Sequence, residues 1–499
     1  MISRRAFLAR ATQLAVGAGA ASTLGWLPGC GSDDSGTTAM WAELQRSLRG
    51  PLLRPGDRGY RAAALPTNRR YADVRPAGIA QCLGADDVQA CVRWARQNGI
   101  DLVPRGGGHS YAGYSTTTGL LVDLGRMRQV QVDGGGETIS IAGGGRNADL
   151  IAALPASGRA VSIGRCPSVG VGGLILGGGL GFNSRRLGTT SDALLATEIV
   201  TADGELRRCD ASQHADLLWA CRGGGGGNFG INTSFTLQTF DGPDVTVFAF
   251  EWRGADQAAA LAAAMQPLLM DAPEAFSGFM SLYTLGPDVD RAADLFTYVI
   301  GQYVGPQAEL LELIAPLLAV GTPYYAEVHE VPYWQGQAFL AEPDGTPDAT
   351  DDRSNFADRP LPDEAIDTIV AQLLRFPLTV PGTFAVVSLF AWVGGAINRV
   401  APAATAYVHR EARYLIDLGT GWPAAAPELE ADAVGWADET WRALQPYVLS
   451  TAYQNFIDGA LSDWQRAYYG RNFDALVQVK AAYDPDDLFH FPQSIPTHA

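Results

Sequence analysis

Two side chains able to attack an electrophile stand in glycine-rich loops of this chain. His109 follows three glycines in Arg105-Gly106-Gly107-Gly108-His109-Ser110-Tyr111-Ala112-Gly113, and Cys166 opens the run Cys166-Pro167-Ser168-Val169-Gly170. Imidazole and thiolate are nucleophiles, and a thiol among turn residues can face a ligand instead of a core. A histidine in such a loop also has a plainer reading, an imidazole bonded to nearby backbone. Further glycine clusters at 143–145, 170–181 and 223–227 add a second chemistry. Without a Cβ, glycine adopts positive φ and lets backbone N–H groups approach a phosphate, so several such loops together suggest a large phosphate-bearing ligand wrapped by backbone. Any one cluster reads equally as a tight turn in a β-rich fold. Gly225-Gly226-Gly227-Asn228-Phe229-Gly230 formally fits the dinucleotide fingerprint, but it follows a helix-like run and not a strand, which argues against a Rossmann nicotinamide site.

Those loops need elements to hold them. Between residues 57 and 240 short strand-like and helical runs alternate. Residues 86–97 put Val88, Cys91, Val92 and Ala95 on one helical face, whereas 102–104, 120–124 and 198–202 read as strands. From 241 to 421 the segments lengthen, with strands predicted at 245–252 and 295–303 and helices at 256–270 and 306–318. A last helix over 473–482 ends at Asp484-Pro485, and an extended tail follows. The uncharged stretch 380–397 is broken by Pro381, Gly382, Gly394 and Gly395 and carries a strand-like Phe-Ala-Val-Val-Ser-Leu-Phe, so no membrane helix is expected in the mature chain.

Composition bounds the function classes. The 499 residues are 47% hydrophobic and 18% charged, enough for two domains and a large core. A formal charge of -17 repels nucleic acid and anionic lipid. Lys480 is the only lysine, which reads as coding bias. Six cysteines, at 30, 82, 91, 166, 209 and 221, fit no zinc spacing and require no disulfide framework; Cys221 lies in an apolar helix-like run and reads as a buried free thiol. At the N-terminus, Ser3-Arg4-Arg5-Ala6-Phe7-Leu8 resembles a twin-arginine export signal and Leu27-Pro28-Gly29-Cys30 a lipobox, with Cys30 as a possible lipid anchor and Ala18-Gly19-Ala20 as a rival cleavage site. The expected location is periplasmic or otherwise extracytoplasmic.

The loop around His109 resembles the flavin-attachment motif of the berberine bridge enzyme-like oxidases, members of the vanillyl-alcohol oxidase superfamily with a para-cresol methylhydroxylase-type FAD domain. Cys166-Pro167-Ser168-Val169-Gly170-Val171-Gly172-Gly173, Leu176-Gly177-Gly178-Gly179-Leu180-Gly181, the stretch from Leu218 to Gly230 and Tyr483-Asp484-Pro485-Asp486-Asp487-Leu488-Phe489 resemble further family signatures, in family order. The resemblance implies an α+β fold: a two-subdomain FAD-binding domain and an α+β substrate domain with an antiparallel sheet. The expected divisions are a signal at 1–30, a tether and lead-in at 31–56, the FAD-binding domain at 57–240, the substrate domain at 241–450 and a C-terminal return at 451–499.

By the same resemblance His109 bonds the flavin 8α-methyl carbon and Cys166 bonds C6, and two tethers are expected to raise the flavin potential and leave a wide, open site. Arg105, Gly106, Gly107, Gly108, Ser110, Val169, Gly170, Gly172, Gly173, Gly177 and Gly230 fall at positions that would contact FAD. Val169 falls beside flavin C4a, where a small side chain leaves room for O2 and favours an oxidase. Asp417, in Tyr414-Leu415-Ile416-Asp417-Leu418, falls where the family projects a Glu or Gln toward the flavin and is the candidate base; a solvated or salt-bridged strand carboxylate is its alternative. Tyr111 and Tyr453 fall at active-site positions, but Phe456 in Tyr453-Gln454-Asn455-Phe456 lacks the hydrogen-bonding group the family carries there, which weakens transfer of a sugar-oxidase mechanism. Three functions follow: an alcohol oxidase acting on carbohydrates or hydroxylated secondary metabolites with O2 as acceptor, an amine or C–H oxidising tailoring enzyme, or a tethered flavin-binding protein without turnover. A small molecule and O2 are the expected partners, with no nucleic acid and no metal.

Overall fold

The computed structural model describes residues 34–286, 291–342 and 348–498, those at 34–37 by backbone alone. Arg4, Arg5 and Cys30 lie outside the described residues.

The first sheet combines β1 (Leu52–Leu53), β2 (Gly78–Gln81), β3 (Leu102–Arg105) and β4 (Leu120–Asp123) in the order β1-β2-β4-β3, and β2, β4 and β3 are parallel. Helix Ala85–Asn98 crosses from β2 to β3 and buries Val88, Cys91, Val92 and Ala95 as the sequence predicts. It stops at Gly99, whose φ of 61° is left-handed and favours glycine. A second, antiparallel sheet holds β5 (Val130–Val132), β6 (Thr138–Ala142), β8 (Leu194–Val200), β9 (Leu206–Cys209) and β10 (Ile231–Gln238), in the order β5-β6-β10-β8-β9. Short β7 (Arg159–Ala160) pairs with β11 (Phe240–Asp241) where the chain leaves this region.

Seven strands then build one antiparallel sheet, β12 (Val245–Arg253), β13 (Phe276–Leu285), β14 (Phe296–Tyr303), β15 (Tyr325–Val331), β16 (Ala349–Ala357), β17 (Phe384–Phe390) and β18 (Tyr414–Trp422), ordered β15-β12-β14-β13-β17-β18-β16. Alternation along a strand separates its two faces. Phe248, Phe250, Met280, Leu282, Val387, Leu389, Ile416 and Leu418 pack under helices Ala255–Asp271, Asp363–Leu374 and Glu430–Leu444. Burying such a side chain contributes about 1.5–3 kcal/mol, so this face supplies the stability of the sheet. On the other face a polar row runs in register from Ser354 through Asp417, Ser388 and Ser281 to Tyr298, flanked by Phe356, Leu415, Phe390 and Phe279. Ser281 and Ser388 hydrogen-bond to each other at 2.7 Å and Ser354 Oγ accepts the Tyr453 N–H at 2.9 Å, whereas Asp417 between them keeps a buried oxygen with no hydrogen-bond partner among the described residues, the costly kind of polar group.

That face is turned onto the glycine-rich region by buried ties. Arg410 makes two hydrogen bonds to Asp192, at 2.8 and 2.7 Å, and Arg185 donates to the carbonyls of Val393 and Ala272. Residues 306–318, predicted as one helix, form two, Gln307–Leu313 and Ala315–Leu318; Pro316 has no N–H to continue the ladder, and Ile314 between them leaves helical geometry. The chain finally returns to the first two sheets with helix Phe473–Tyr483. Lys480 is fully buried and donates to Asp484 at 2.7 Å and to the Asn228 carbonyl at 2.9 Å, and its third proton goes to the Phe489 carbonyl. It thus ties the tail to the loop after the glycine run.

Candidate active site

A cavity of about 230 Å³ lies between the first two sheets and the C-terminal return. Its walls are backbone-rich: the loop from Gly106 to Ser110, Val169 with Gly170, Gly172 and Gly173, the segment Gly226, Gly227 and Gly230, and the tail residues His490 and Phe491. Neither arginine nor lysine lines it, so a phosphate bound there meets mainly main-chain groups. The glycines do two different things. A Cβ on Gly173 would meet nothing within 4 Å and one on Gly226 nothing nearer than 3.7 Å, so their bare backbones open the volume. Gly107 and Gly170 instead close it, since a Cβ on Gly107 would lie 2.2 Å from the Gly170 nitrogen and one on Gly170 2.3 Å from the Gly107 nitrogen. This crossing locks the loop carrying His109 to the loop carrying Cys166, and no other residue type fits at either position.

His109 and Ser110 line the cavity, and Ser110 Oγ accepts the Tyr114 N–H at 3.0 Å. Arg105 faces away; its guanidinium donates to the carbonyls of Ala63, Ala64 and Ser115 and anchors the loop from behind. Gly177 is not in the wall either, but a Cβ there would strike Asn455 Oδ1 at 2.0 Å, so it makes room for an amide that is. Cys166 is half-buried, with Sγ 3.0 Å from Glu342 Oε2, and Arg165 Nε lies 3.3 Å from the same oxygen.

Past Ser110 the loop enters a cluster of acids. Tyr111 packs on Phe456 at 5.4 Å, and its phenol is pushed well above the usual tyrosine range by burial first and then by Asp352, Asp417, Cys166 and Glu342. Asn68 fixes this loop to the large sheet, donating to the Tyr111 carbonyl at 2.9 Å and to that of Thr350 at 3.0 Å while accepting the Thr350 N–H at 3.1 Å. Asp417 projects from β18 between Ser354 and Ser388, and its Oδ1 is buried with no hydrogen-bond partner among the described residues. Burial, then Asp352 and Glu342, raise its pKa well above the ordinary carboxylate range. Asp352, on the same face of β16, is pushed up to about 7, again mainly by burial. Tyr453 also packs on Phe456, at 5.2 Å; fully buried, it receives the Gly179 N–H on its hydroxyl at 2.9 Å and the Asn455 amide at 3.0 Å, while its neighbours Gln454 and Asn455 line the cavity.

The chain that carries this arrangement resembles known proteins in sequence and fold. Residues 76–210 match the family described as FAD binding domain, and residues 452–496 match the one described as berberine and berberine like. The FAD-linked oxidoreductase YgaK of Bacillus subtilis is 33% identical over 462 residues, covering 90% of this chain and 97% of its own, and berberine bridge enzyme-like 12 of Arabidopsis thaliana is 30% identical over 82% of each chain. The chain belongs to the berberine bridge enzyme-like FAD-linked oxidoreductases. Among solved structures of this family, Physcomitrella patens BBE-like 1 superposes with a TM-score of 0.81 at 27% identity, and the xylooligosaccharide oxidase of Myceliophthora thermophila, in complex with xylobiose, with 0.78 at 26%; each match covers 92% of this chain and 99% of the other.

A berberine bridge enzyme-like chain binds FAD, and the cavity suits its phosphates: bare backbone at Gly173 and Gly226 leaves room, and no carboxylate lines the wall to repel them. Two acids that sequence reasoning missed, Asp352 and Glu342, stand beside the expected Asp417 and Tyr111. In the polar run Asp351-Asp352-Arg353-Ser354 only alternation hints that Asp352, Ser354 and Phe356 share a face, and which face becomes readable only from the pairing with β18. Among the described residues no His, Cys, Asp or Glu group is arranged to hold a metal ion, and no helix is long and apolar enough to cross a membrane.

Proposed function

We propose that this FAD-dependent oxidoreductase is an alcohol oxidase whose FAD is held by two covalent bonds, one from His109 and one from Cys166, with Asp417 as the base that takes the substrate proton. The observation that carries the reading is Asp417 itself, a carboxylate with a buried, unpartnered oxygen on the sheet face that meets the His109–Tyr111 loop. A stability role does not account for it, since an unpaired buried polar atom costs about 1–3 kcal/mol. When bound, FAD would supply a hydride acceptor and a path for the electrons to O2, with H2O2 as the product. The chain's own groups do the rest. Desolvation keeps Asp417 basic enough to accept a hydroxyl proton, Tyr111 offers a phenol to orient the oxygen, and the small Val169 leaves space at the cavity wall. Glu342, 3.0 Å from Sγ, is positioned to receive the Cys166 thiol proton when that sulfur bonds.

Carbohydrate alcohols lead the candidates, because relatives such as the xylooligosaccharide oxidase, 28% identical over 476 residues, are named for such substrates. Amine oxidation is the second reading, favoured by the density of carboxylates around Tyr111. Two measurements test the proposal. Acid-precipitated protein should stay yellow, His109→Ala with Cys166→Ala should release all flavin, and each single variant should retain it; free flavin from the parent protein would refute the double bond. A peroxide assay over sugars, simple alcohols and amines should give turnover with hydroxyl substrates, and a flavin bleached by none of them would leave a binding protein without turnover. We further propose export by the twin-arginine route with lipidation at Cys30. Arg4→Lys with Arg5→Lys should strand the protein in the cytoplasm, and Cys30→Ala should free it from membranes.

A further inference from the structure

We propose that Asp352 is a positioning residue for the base, forming with Asp417 a carboxyl pair that holds a single proton. The inference rests on the assignment of Asp417 above and extends it to a residue on the neighbouring strand. Asp352 pairs in register with Gly419, and Gly419 and Asp417 share a face of β18. The missing side chain at Gly419 is what lets Asp352 lie over that strand, since a Cβ there would come within 2.9 Å of Asp352 Oδ1. With that space open, the side chain diagonally across from Asp352 is Asp417, a relation that puts long or polar groups within reach of each other. Both acids carry an oxygen that is buried and has no hydrogen-bond partner among the described residues, Oδ2 of Asp352 and Oδ1 of Asp417.

The surrounding charges leave the pair uncompensated. From the loop after helix Tyr333–Leu340 comes Glu342, already bonded to Arg165 and Cys166. From the other face of β16 come Asp351 and Arg353, paired with each other, and Arg70 reaches Asp351 from the N-terminal side. From the flavin-histidine loop comes only the neutral phenol of Tyr111. Two carboxylates set diagonally on adjacent strands in a desolvated cleft, with no cation paired to either among the described residues, resist ionising together near neutrality. The elevation of both acids is dominated by burial; at Asp417 repulsion from Asp352 and then Glu342 adds to it, and at Asp352 a hydrogen bond from the Thr350 side chain works against burial and against repulsion from Asp351 and Glu342.

The FAD-loaded protein and its Asp352→Asn, Asp352→Glu and Asp417→Asn variants are compared by two readouts. The first is thermal unfolding between pH 4 and pH 8. An acid whose folded pKa is raised favours folding below its unfolded value near 4 and loses that contribution as pH rises toward 7. The melting temperature of the parent should therefore fall over this range relative to Asp352→Asn and Asp417→Asn, while Asp352→Glu should follow the parent. A purely structural role would offset the curves equally at every pH. The second readout is the pH profile of flavin reduction by substrate, whose acid limb should move to lower pH by about one unit or more in Asp352→Asn, because Asp417 loses a like-charged neighbour. Parallel unfolding curves for parent and both asparagine variants would overturn the shared proton whatever the kinetics. Flattened unfolding curves with an unmoved acid limb would uphold the pair and overturn Asp417 as the base.

Discussion

The hydroxyl of Tyr453 accepts the backbone N–H of Gly179 at 2.9 Å. A second bond from the Asn455 amide at 3.0 Å occupies it further, and burial raises the phenol well above its ordinary range. Such a group is committed to holding the Leu176–Gly181 turn against the C-terminal return. Tyr453→Phe should lower stability by about 1–3 kcal/mol, because a buried N–H loses its partner, and should slow flavin reduction less than tenfold. Urea melts and stopped-flow bleaching measure both; a loss of a hundredfold or more in the reduction step would return Tyr453 to the catalytic set.

Asp417 should behave in the opposite way. Removing a general base typically costs about 10²- to 10⁴-fold, so Asp417→Asn should slow flavin bleaching by that order and leave reoxidation by O2 unchanged. The variant should also be no less stable than the parent at pH 8, since one oxygen of the wild-type carboxylate is buried with no hydrogen-bond partner among the described residues. Reduction at the parent rate would pass the role of base to Tyr111 or to the substrate.

Lys480 and Asp484, both fully buried, form the ion pair at the centre of the C-terminal tie. Cutting one partner from such a pair typically costs about 3–5 kcal/mol through the charge left behind. Lys480→Ala should show that loss in chemical denaturation, and Asp484→Asn in the same background should recover part of it. Recovery failing altogether would mean the loss comes from packing and not from stranded charge.

His409 makes stability depend on pH from the acid side. Stacked on Phe356 at 4.3 Å and bonded to Gln454, it is lowered to about 3 by burial. A histidine depressed in the folded state supports folding above its unfolded value near 6.5 and loses that support as pH falls toward 3. His409→Gln should therefore melt with a shallower acid slope between pH 6.5 and 4, even if its neutral-pH stability is lower. Because Gln454 also lines the cavity, the absorbance bands of the tethered flavin should shift on acidification with the same slope, without loss of flavin from the protein.

How much of this was legible in the sequence depends on range. Helix Ala85–Asn98 and strand Phe384–Phe390 follow from local periodicity, and the loops of His109 and Cys166 from glycine spacing, because these signals lie within a few residues. The break at Ile314 was signalled by Pro316, yet Pro267 sits inside helix Ala255–Asp271 without ending it, so proline alone does not decide a boundary. Arg105 illustrates a different limit. It borders the glycine loop in sequence, but three carbonyls drawn from residues 63, 64 and 115 turn it outward. Asp352 and Glu342 were invisible because their meaning comes from strands and loops hundreds of residues away from His109.

The burial of Lys480 has a practical consequence at the bench. Since it is the only lysine in the chain, the folded surface among the described residues offers no ε-amine to an acylating reagent. Amine-directed dyes, biotin esters and cross-linkers then find only the terminal amine, where one is free. Any label recovered on Lys480 itself counts the occasions on which the tail has lifted from the Asn228 loop, so slow acylation becomes a clock for that opening.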